Sequence, residues 1–468
     1  MTLQQYCIHA HFYQPPREDP YKGEIPNEAG AFPFPNWNER IYAECYAPNA
    51  QLGNFQRISF NIGPTLCDWM SEYHPDTMTS IVNQDRANIQ KYGVGNAIAH
   101  PYNHTILPLA THRDKTTQIA WGIADFEFRF GRKPQGMWLP ETAVDVATLS
   151  ALCDQGIEFT ILAPWQADCD DLDISEPYRV ELPGGRSIIT FFYHAGLSGG
   201  VSFNPSLTVN ADEFMRQQFL RSYNPVKLQR QEAQMIMLAS DGELYGHHQP
   251  ERQHFLAHLV NGAGENAGLR LTFPALWLKD NPPRRVVGIR PMTSWSCHHG
   301  IGRWLGTCEC SPDSGWKTIL YHALNNLVNR LDNIYLNAVS PYVSNVWQLR
   351  NDYIHVLLEQ QSVEDLINEA ANKTLADDVI DQLAILLLAQ YERQRMFASC
   401  GWYHEDFDRI EPRNNVAYAA KAVWLTHQAT GIDLTKLCLT ELRRVVSPRS
   451  GLTAAQIFEQ YFERVDCG

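Results

Sequence analysis

Short apolar runs recur along the first 275 or so residues, and nearly every one stops at a polar or prolyl turn before an amphipathic stretch begins. Residues 6–13 alternate in part and end at Gln14-Pro15-Pro16. Residues 58–62, 95–101, 136–140, 159–163, 188–193, 235–239 and 270–273 are further runs of strand length. Between them, residues 76–92, 114–130, 145–155, 211–222 and 251–263 carry apolar positions at helical spacing. Strand and helix alternating about every 30 residues predict a parallel sheet, either closed into a barrel or left open. Residues 17–55 are rich in Pro, Asn and Gly without periodicity, and they read as a long excursion over the barrel mouth. Pro282-Pro283 marks a boundary, which divides the chain into residues 1–285 and 286–468. Beyond 314 the pattern is helical, over 315–336, 341–360, 376–399 and 413–429. Residues 383–389 are apolar on every side, as in a buried helix. The expected fold is an α/β barrel followed by an all-α domain, packed on the barrel's carboxyl-end face and lending a loop, residues 293–310, to the active site.

Charge and composition narrow the function. Lys and Arg total 38 against 52 Asp and Glu, a net charge of −14. This balance argues against nucleic acid and anionic membrane as partners, since both require basic surface. No window offers about 18 uncharged apolar residues, so no membrane span is expected. The first residues, Met1-Thr2-Leu3-Gln4-Gln5-Tyr6-Cys7, lack a basic end followed by an apolar core, which predicts no signal peptide and a cytoplasmic location. The 11 cysteines then read as reduced thiols. Neither a Gly-x-Gly-x-x-Gly nor a Walker pattern is present, and no cofactor is expected.

Two of the apolar runs end at acids. Gly136-Met137-Trp138-Leu139-Pro140 stops at Glu141, and Met235-Ile236-Met237-Leu238-Ala239-Ser240 stops at Asp241, with Glu243 two residues on. Carboxyl ends of strands are where α/β barrels keep their chemistry. The plainer use of Glu141 is to cap the next helix. His9 and His11 project from one face of a strand, into a site or into a core. His100 and His104 have the spacing of a helical metal pair, but Pro101 and Pro108 weaken a helix there, leaving sugar binding or packing as alternatives. Cys297, His298, His299, Cys308 and Cys310 raise the possibility of a zinc knuckle, yet no Cys-x-x-Cys unit supports one. An aromatic, His and Arg loop over a polar sugar site is the favoured use of that segment. Trp138, Trp295 and Trp402 are candidates for stacking on sugar rings, or for core packing.

Four stretches, in order, resemble the family-57 glycoside hydrolases. They are His9-Ala10-His11-Phe12-Tyr13-Gln14-Pro15, residues 95–109 with Pro101-Tyr102-Asn103-His104, Trp138-Leu139-Pro140-Glu141, and Asp241-Gly242-Glu243-Leu244-Tyr245-Gly246. The likeness covers residues 6 to about 250, and the helical half resembles the appended domain of an uncharacterised subgroup. The chain departs from the family at three places. Two residues separate His11 from Gln14, Thr142 stands where arginine is frequent, and Ala97 and Ile98 occupy a region that often holds an acid. The resemblance implies an incomplete (β/α)7 barrel and a retaining glycoside hydrolase or glucanotransferase acting on α-glucan or oligosaccharide. It further implies Glu141 as nucleophile and Asp241 as general acid/base, about 5–5.5 Å apart across a cleft. Substrate binding would fall to His9, His11, Gln14, His104, Trp138, Glu243, His248, Trp295, His299, Arg303 and Trp402, with no metal. Rival readings are a metal-dependent deacetylase or mannosidase built on His100, His104 and Asp241, and a non-catalytic sugar-binding protein. Linkage specificity and oligomeric state stay open.

Overall fold

The computed structural model describes residues 4–466, so Met1, Thr2 and Leu3 of the N-terminal reading lie outside it. The chain forms two compact units. One comprises residues up to Gln14, Asn27–Pro101 and Phe126–Trp295; the other comprises Pro15–Pro26, Tyr102–Asp125 and the residues from Ser296 onward. The sequence places a boundary at 285; the units divide at Trp295, and two earlier stretches of the chain belong to the second unit. Those stretches flank Pro15-Pro16 and Pro101, turns that carry no periodic signal of a change of unit.

The first unit is a ring of parallel strands in chain order. Strand β1 (Gln4–Phe12) pairs in parallel with β2 (Ser59–Ile62), with His9 opposite Ser59 and His11 opposite Asn61. Single parallel bridges carry the ring onward from Phe60 to Ala97, from Ala99 to Met137 and from Gly136 to Phe159. Strand β3 (Phe159–Leu162) pairs with β5 (Arg186–Phe192), which also forms an antiparallel hairpin with β4 (Tyr178–Leu182). The ring closes where His194 N–H donates to the Met237 carbonyl (2.7 Å) of β6 (Gln234–Asp241), and β6 pairs along the length of β1. Seven segments thus make a (β/α)7 barrel whose weakest seam is that single hydrogen bond. A two-residue strand, Arg270–Leu271, adds to β1 beside Gln5 and Tyr6. The interior is filled by Cys7, Trp138, Phe159, Ile161, Phe191, Met235 and Met237, all buried.

Three elements depart from the sequence reading. The expected strand at 95–101 is reduced to isolated bridges, because side chains take over its backbone bonds: Asp85 Oδ1 accepts from the N–H groups of Asn96 (2.8 Å) and Ala97 (2.9 Å). The aperiodic excursion contains a continuous helical stretch, made of Trp37–Ile41, Tyr42–Tyr46 and Ala47–Gln51. It starts at Asn36, whose side chain accepts from Glu39 N–H (3.0 Å), and its middle turn is a π-turn that shifts the apolar spacing. The third departure is β4, whose alternating buried and exposed residues lead into the turn Pro183-Gly184-Gly185.

The second unit is built on the helices Gly315–Val339, Asp377–Arg395 and Ile410–Thr430. The helix expected over 341–360 is two short ones, Val346–Asp352 and Ile354–Leu357; the first begins at 346 because the Asn345 side chain accepts from Gln348 N–H (3.2 Å). Val363–Ala371, Thr435–Leu442 and Ala454–Asp466 are further helices. A buried ion cluster ties this unit together. Arg393 forks onto Asp114 (2.6 and 3.0 Å) and also reaches Asp332 (2.9 Å), while Arg350 lies 3.3 Å from Asp114. Among the described residues, no helix is long and apolar enough to cross a membrane.

Candidate active site

Glu141 does not cap a helix; the following helix, Val146–Asp154, is capped by Asp145, whose carboxylate accepts from Thr148 N–H (2.6 Å). Instead Glu141 sits on a one-turn 3₁₀ segment, Pro140–Thr142, with φ 57° and ψ 19°, and Thr142 follows at φ 49°. Two successive non-glycine residues in the left-handed region, one of them β-branched, cost about 1–3 kcal/mol each. The turn is held by Gln166. Its amide N–H donates to the Thr142 carbonyl (2.8 Å), and its side-chain oxygen accepts from Thr142 Oγ1–H (2.9 Å) and from Ala163 N–H (2.8 Å). Trp295 fastens the acid itself. Its backbone N–H donates to the Glu141 carbonyl (3.0 Å) and its indole Nε1–H to Glu141 Oε2 (3.0 Å).

Asp241 is the one exposed residue of an otherwise buried strand, level with His11 in the ladder. Its carboxyl reaches solvent at the end of β6, but the surrounding protein mass strips away most of its hydration. That desolvation, then the charge of Glu243, then that of Glu141, pushes its pKa from 3.8 up to about 8. The Glu141 and Asp241 charges therefore feel each other. Glu243 is buried and is raised to about 7, again chiefly by desolvation. Its Oε1 accepts from Tyr46 OH (2.7 Å) and from Tyr13 N–H (3.0 Å), and Gln14 Nε2–H donates to Tyr46 OH (3.1 Å). The approach of this segment to β1 requires Gly242, because a Cβ there would lie 2.3 Å from the Phe12 ring.

Aromatic rings line the same strand ends. His9 stacks on Trp138 (4.7 Å between centroids), and His11 lies flat against Trp138 (5.5 Å) and His100 (5.5 Å). Trp138 meets Trp295 edge-on (5.0 Å), and Tyr193 meets Trp295 likewise (6.3 Å). Burial lowers the His9 pKa to about 3 and that of His11 to about 4, so both rings are neutral near pH 7. Asn61 holds the His11 ring through Nδ1 (2.9 Å), and Ser59 holds that of His9 (3.0 Å). His9 and Trp138 are fully buried and pack as core beneath these strand ends, so Trp138 is not placed to stack on a sugar; the neutral His11 ring and the partly exposed Trp295 are the groups left to meet an uncharged polyhydroxyl ligand.

Of the residues singled out in the sequence, the barrel unit thus brings together Glu141, Asp241, Glu243, His9, His11, Gln14, Trp138 and Trp295. His248 is exposed, tied by its N–H to the Glu243 carbonyl (2.9 Å) and set beside the His247 ring (4.9 Å). His104, His299, Arg303 and Trp402 belong to the second unit. There His104 contacts Ser399 Oγ, and buried Trp402 stacks parallel to Phe397 (6.2 Å). Arg303 lies over the Tyr403 ring (4.3 Å), and His299 Nδ1 is 3.5 Å from Cys310 Sγ. Tyr13, Tyr46, Asn61 and Tyr193 complete the barrel site and escaped the sequence reading. The clearest available signal was Asn61, a polar residue inside an apolar strand run.

Solved structures share this architecture. An exo-type maltose-forming amylase from Pyrococcus sp. ST04 superposes with a TM-score of 0.80 at 14% identity, over 99% of this chain and 92% of that one. A GH57-type branching enzyme from Pyrococcus horikoshii gives 0.63 at 16% identity, over 97% and 96%. The α-amylase AmyC from Thermotoga maritima gives 0.61 at 13%, over 97% and 99%. No curated protein matches the chain in sequence. Residues 313–465 match a domain of unknown function (DUF3536). Residues 8–290, more than half of the chain, match the family described as glycosyl hydrolase family 57, and the chain belongs to that family.

Proposed function

We propose that the protein is a retaining enzyme that cleaves or transfers α-glucosidic bonds of an α-glucan, with Glu141 as nucleophile and Asp241 as general acid/base. The observation that carries this reading is the division of labour among the carboxyls. Asp241 holds its proton near neutral pH, with a pKa of about 8, while Glu141 receives an N–H donor from Trp295 that favours its anionic form. Glu141 attacks the anomeric carbon as Asp241 gives its proton to the leaving oxygen, forming a glycosyl-enzyme. Asp241, now a carboxylate, takes a proton from water or from a sugar hydroxyl as that acceptor displaces Glu141. Asp241 titrates on the alkaline side, so activity is expected to fall as pH rises through about 8. The names of the structurally similar proteins, which include a 4-α-glucanotransferase and branching enzymes besides amylases, support an α-glucan as substrate. The free thiols of the ten described cysteines support a reducing, cytoplasmic setting.

The test is a pair of substitutions with product analysis on a panel of α-glucans. Glu141→Gln should lower turnover by about 10³-fold or more with sugar binding retained. Asp241→Asn should cost about 10²–10⁴-fold and recover on substrates whose leaving group needs no proton. NMR of the first product should show the α-anomer. Inversion, or full activity in both variants, would overturn the assignment; full activity of Glu141→Gln with loss in His100→Ala would favour a metal-centred enzyme.

A further inference from the structure

The loop that opens the second unit gathers four groups that the proposed reaction does not use. The ligand atoms of Cys297, His299, Cys308 and Cys310 all lie within 4.8 Å of one another. Cys297 Sγ is 4.0 Å from Cys308 Sγ, and Cys310 Sγ is 3.5 Å from His299 Nδ1. A tetrahedral zinc with Zn–S of about 2.3 Å and Zn–N of about 2.05 Å sets S···S at about 3.8 Å and S···N at about 3.6 Å. Both observed spacings fall within about 0.2 Å of those values, and the remaining pairs lie within 4.8 Å. We propose that these four residues form a closed Cys3His structural zinc site that fixes the 296–311 loop against the helix Gly315–Val339.

The surroundings suit a thiolate-bound cation. His299 Nε2 lies 3.4 Å from a Glu309 carboxylate oxygen. A carboxylate on the far nitrogen fixes the tautomer that leaves Nδ1 free to ligate. Cys308 and Ser311 close a tight turn through two backbone bonds, N–H to carbonyl in each direction (3.3 and 2.8 Å), which brings Cys308 and Cys310 to the cluster together. Three thiolates and one divalent ion leave a net charge of about −1, which would favour the charged form of Lys317, whose pKa burial and the Arg303 charge lower to about 7. Lys317 is fully buried and donates to the Arg303 carbonyl (2.7 Å) and to Ser311 Oγ (3.1 Å), while Arg303 Nη2–H donates to the Cys310 carbonyl (2.9 Å). Loading balances as one Zn²⁺ bound against three thiol protons released. His299 then serves as a ligand and not as a sugar contact.

The full-length protein, purified under reducing conditions, should contain about one zinc per chain by plasma mass spectrometry, released stoichiometrically on thiol blocking by a mercurial. Exchange for Co²⁺ should bring in the visible bands of a tetrahedral site and near-ultraviolet thiolate charge transfer. Cys308→Ser and Cys310→Ser should lose at least ~90% of the metal, His299→Cys should keep it, and Glu309→Gln should weaken zinc affinity by about tenfold or more. Because the cysteine variants can fail to fold, the wild-type metal content and Co²⁺ spectrum are decisive by themselves. Metal-free protein with four freely titrating groups, a Cys297–Cys308 disulfide found by non-reducing peptide mapping, or an octahedral Co²⁺ spectrum would each overturn the proposal.

Discussion

Glu243→Gln isolates the electrostatics of the site with little change in shape. The amide is isosteric with the carboxyl and keeps an oxygen to accept from Tyr46 OH and Tyr13 N–H, now 2.7 and 3.0 Å from Oε1. What it removes is a buried negative charge beside Asp241. The Asp241 pKa stands about four pH units above its ordinary 3.8, at about 8; desolvation is the largest cause, Glu243 the second and Glu141 the third. Removing one neighbouring anion from a site where desolvation is the larger cause should lower the Asp241 pKa by about one pH unit. Glu243 has a pKa of about 7 and is mostly ionised where Asp241 titrates, so the full charge acts there. The assay is kcat/KM against pH on a maltooligosaccharide, which reports the free enzyme. The sign follows directly: without a neighbouring anion, the Asp241 proton is held less tightly, so the alkaline limb moves to lower pH. A parallel series on a substrate with an activated leaving group should lose that limb in both enzymes. An alkaline limb that stays in place, or moves upward, would refute Asp241 as the acid or Glu243 as its electrostatic neighbour.

Other substitutions probe separate contacts. Trp295→Phe removes the indole N–H that reaches Glu141 Oε2 at 3.0 Å; a lost hydrogen bond to a charged group is worth about 1.5–3 kcal/mol, so kcat should fall about 10–100-fold with KM little changed, measured by steady-state kinetics. Tyr46→Phe removes a donor that holds the Glu243 pKa down; Glu243 should then keep its proton to higher pH, and the Asp241 limb should move acidward by less than in Glu243→Gln. In the helical unit, Asp114→Asn leaves Arg393 and Arg350 short of a counter-charge, and the unfolding transition of that unit in urea should weaken by about 3 kcal/mol near pH 7. Arg393 and Arg350 hold the Asp114 carboxyl far below its ordinary range against the cost of burial; its stabilisation is therefore complete above about pH 4 and is lost as pH falls toward the folded value, so wild type and variant should converge in acid.

The barrel was legible because its strands announce themselves twice, as apolar runs and as runs that end in functional groups. Glu141 and Asp241 stand out for that reason, and β1, β3, β5 and β6 fall where the runs are. The segments around Ala97 and Met137 are harder to read, because Asp85 and single bridges do the work of a ladder. Tyr46 was hidden by the π-turn at Tyr42–Tyr46, which breaks the spacing that marks a helix face. The Gln166 clamp on Thr142 spans 24 residues and leaves no local pattern. The cysteine cluster is built from Cys297-x-His299 and Cys308-x-Cys310, pairs one residue apart that the usual two-residue spacing does not flag.

The three carboxyls differ because their neighbours differ, and those neighbours come from distant parts of the chain. Glu141 faces an indole N–H donated from 154 residues away. Asp241 is stripped of most of its hydration and then acted on by two other acids, so it keeps a proton that an ordinary aspartate would lose. Glu243 lies between these cases, buried yet bonded by Tyr46 and Tyr13, and its own charge state sets how firmly Asp241 is protonated. A tyrosine on the helix at 37–51 thereby reaches the acid through Glu243 and not by touching it. The strain at Glu141 and Thr142 fits the same scheme. A left-handed pair of non-glycine residues persists only where surrounding bonds over-determine it, and here three hydrogen bonds of Gln166 and the two of Trp295 do so. Threonine in place of the family's frequent arginine at 142 is what lets Gln166 grip both the hydroxyl and the carbonyl of that residue. Glu141, the proposed nucleophile, is thus positioned by an amide clamp on the residue that follows it, and arginine there would have to give up the hydroxyl half of it.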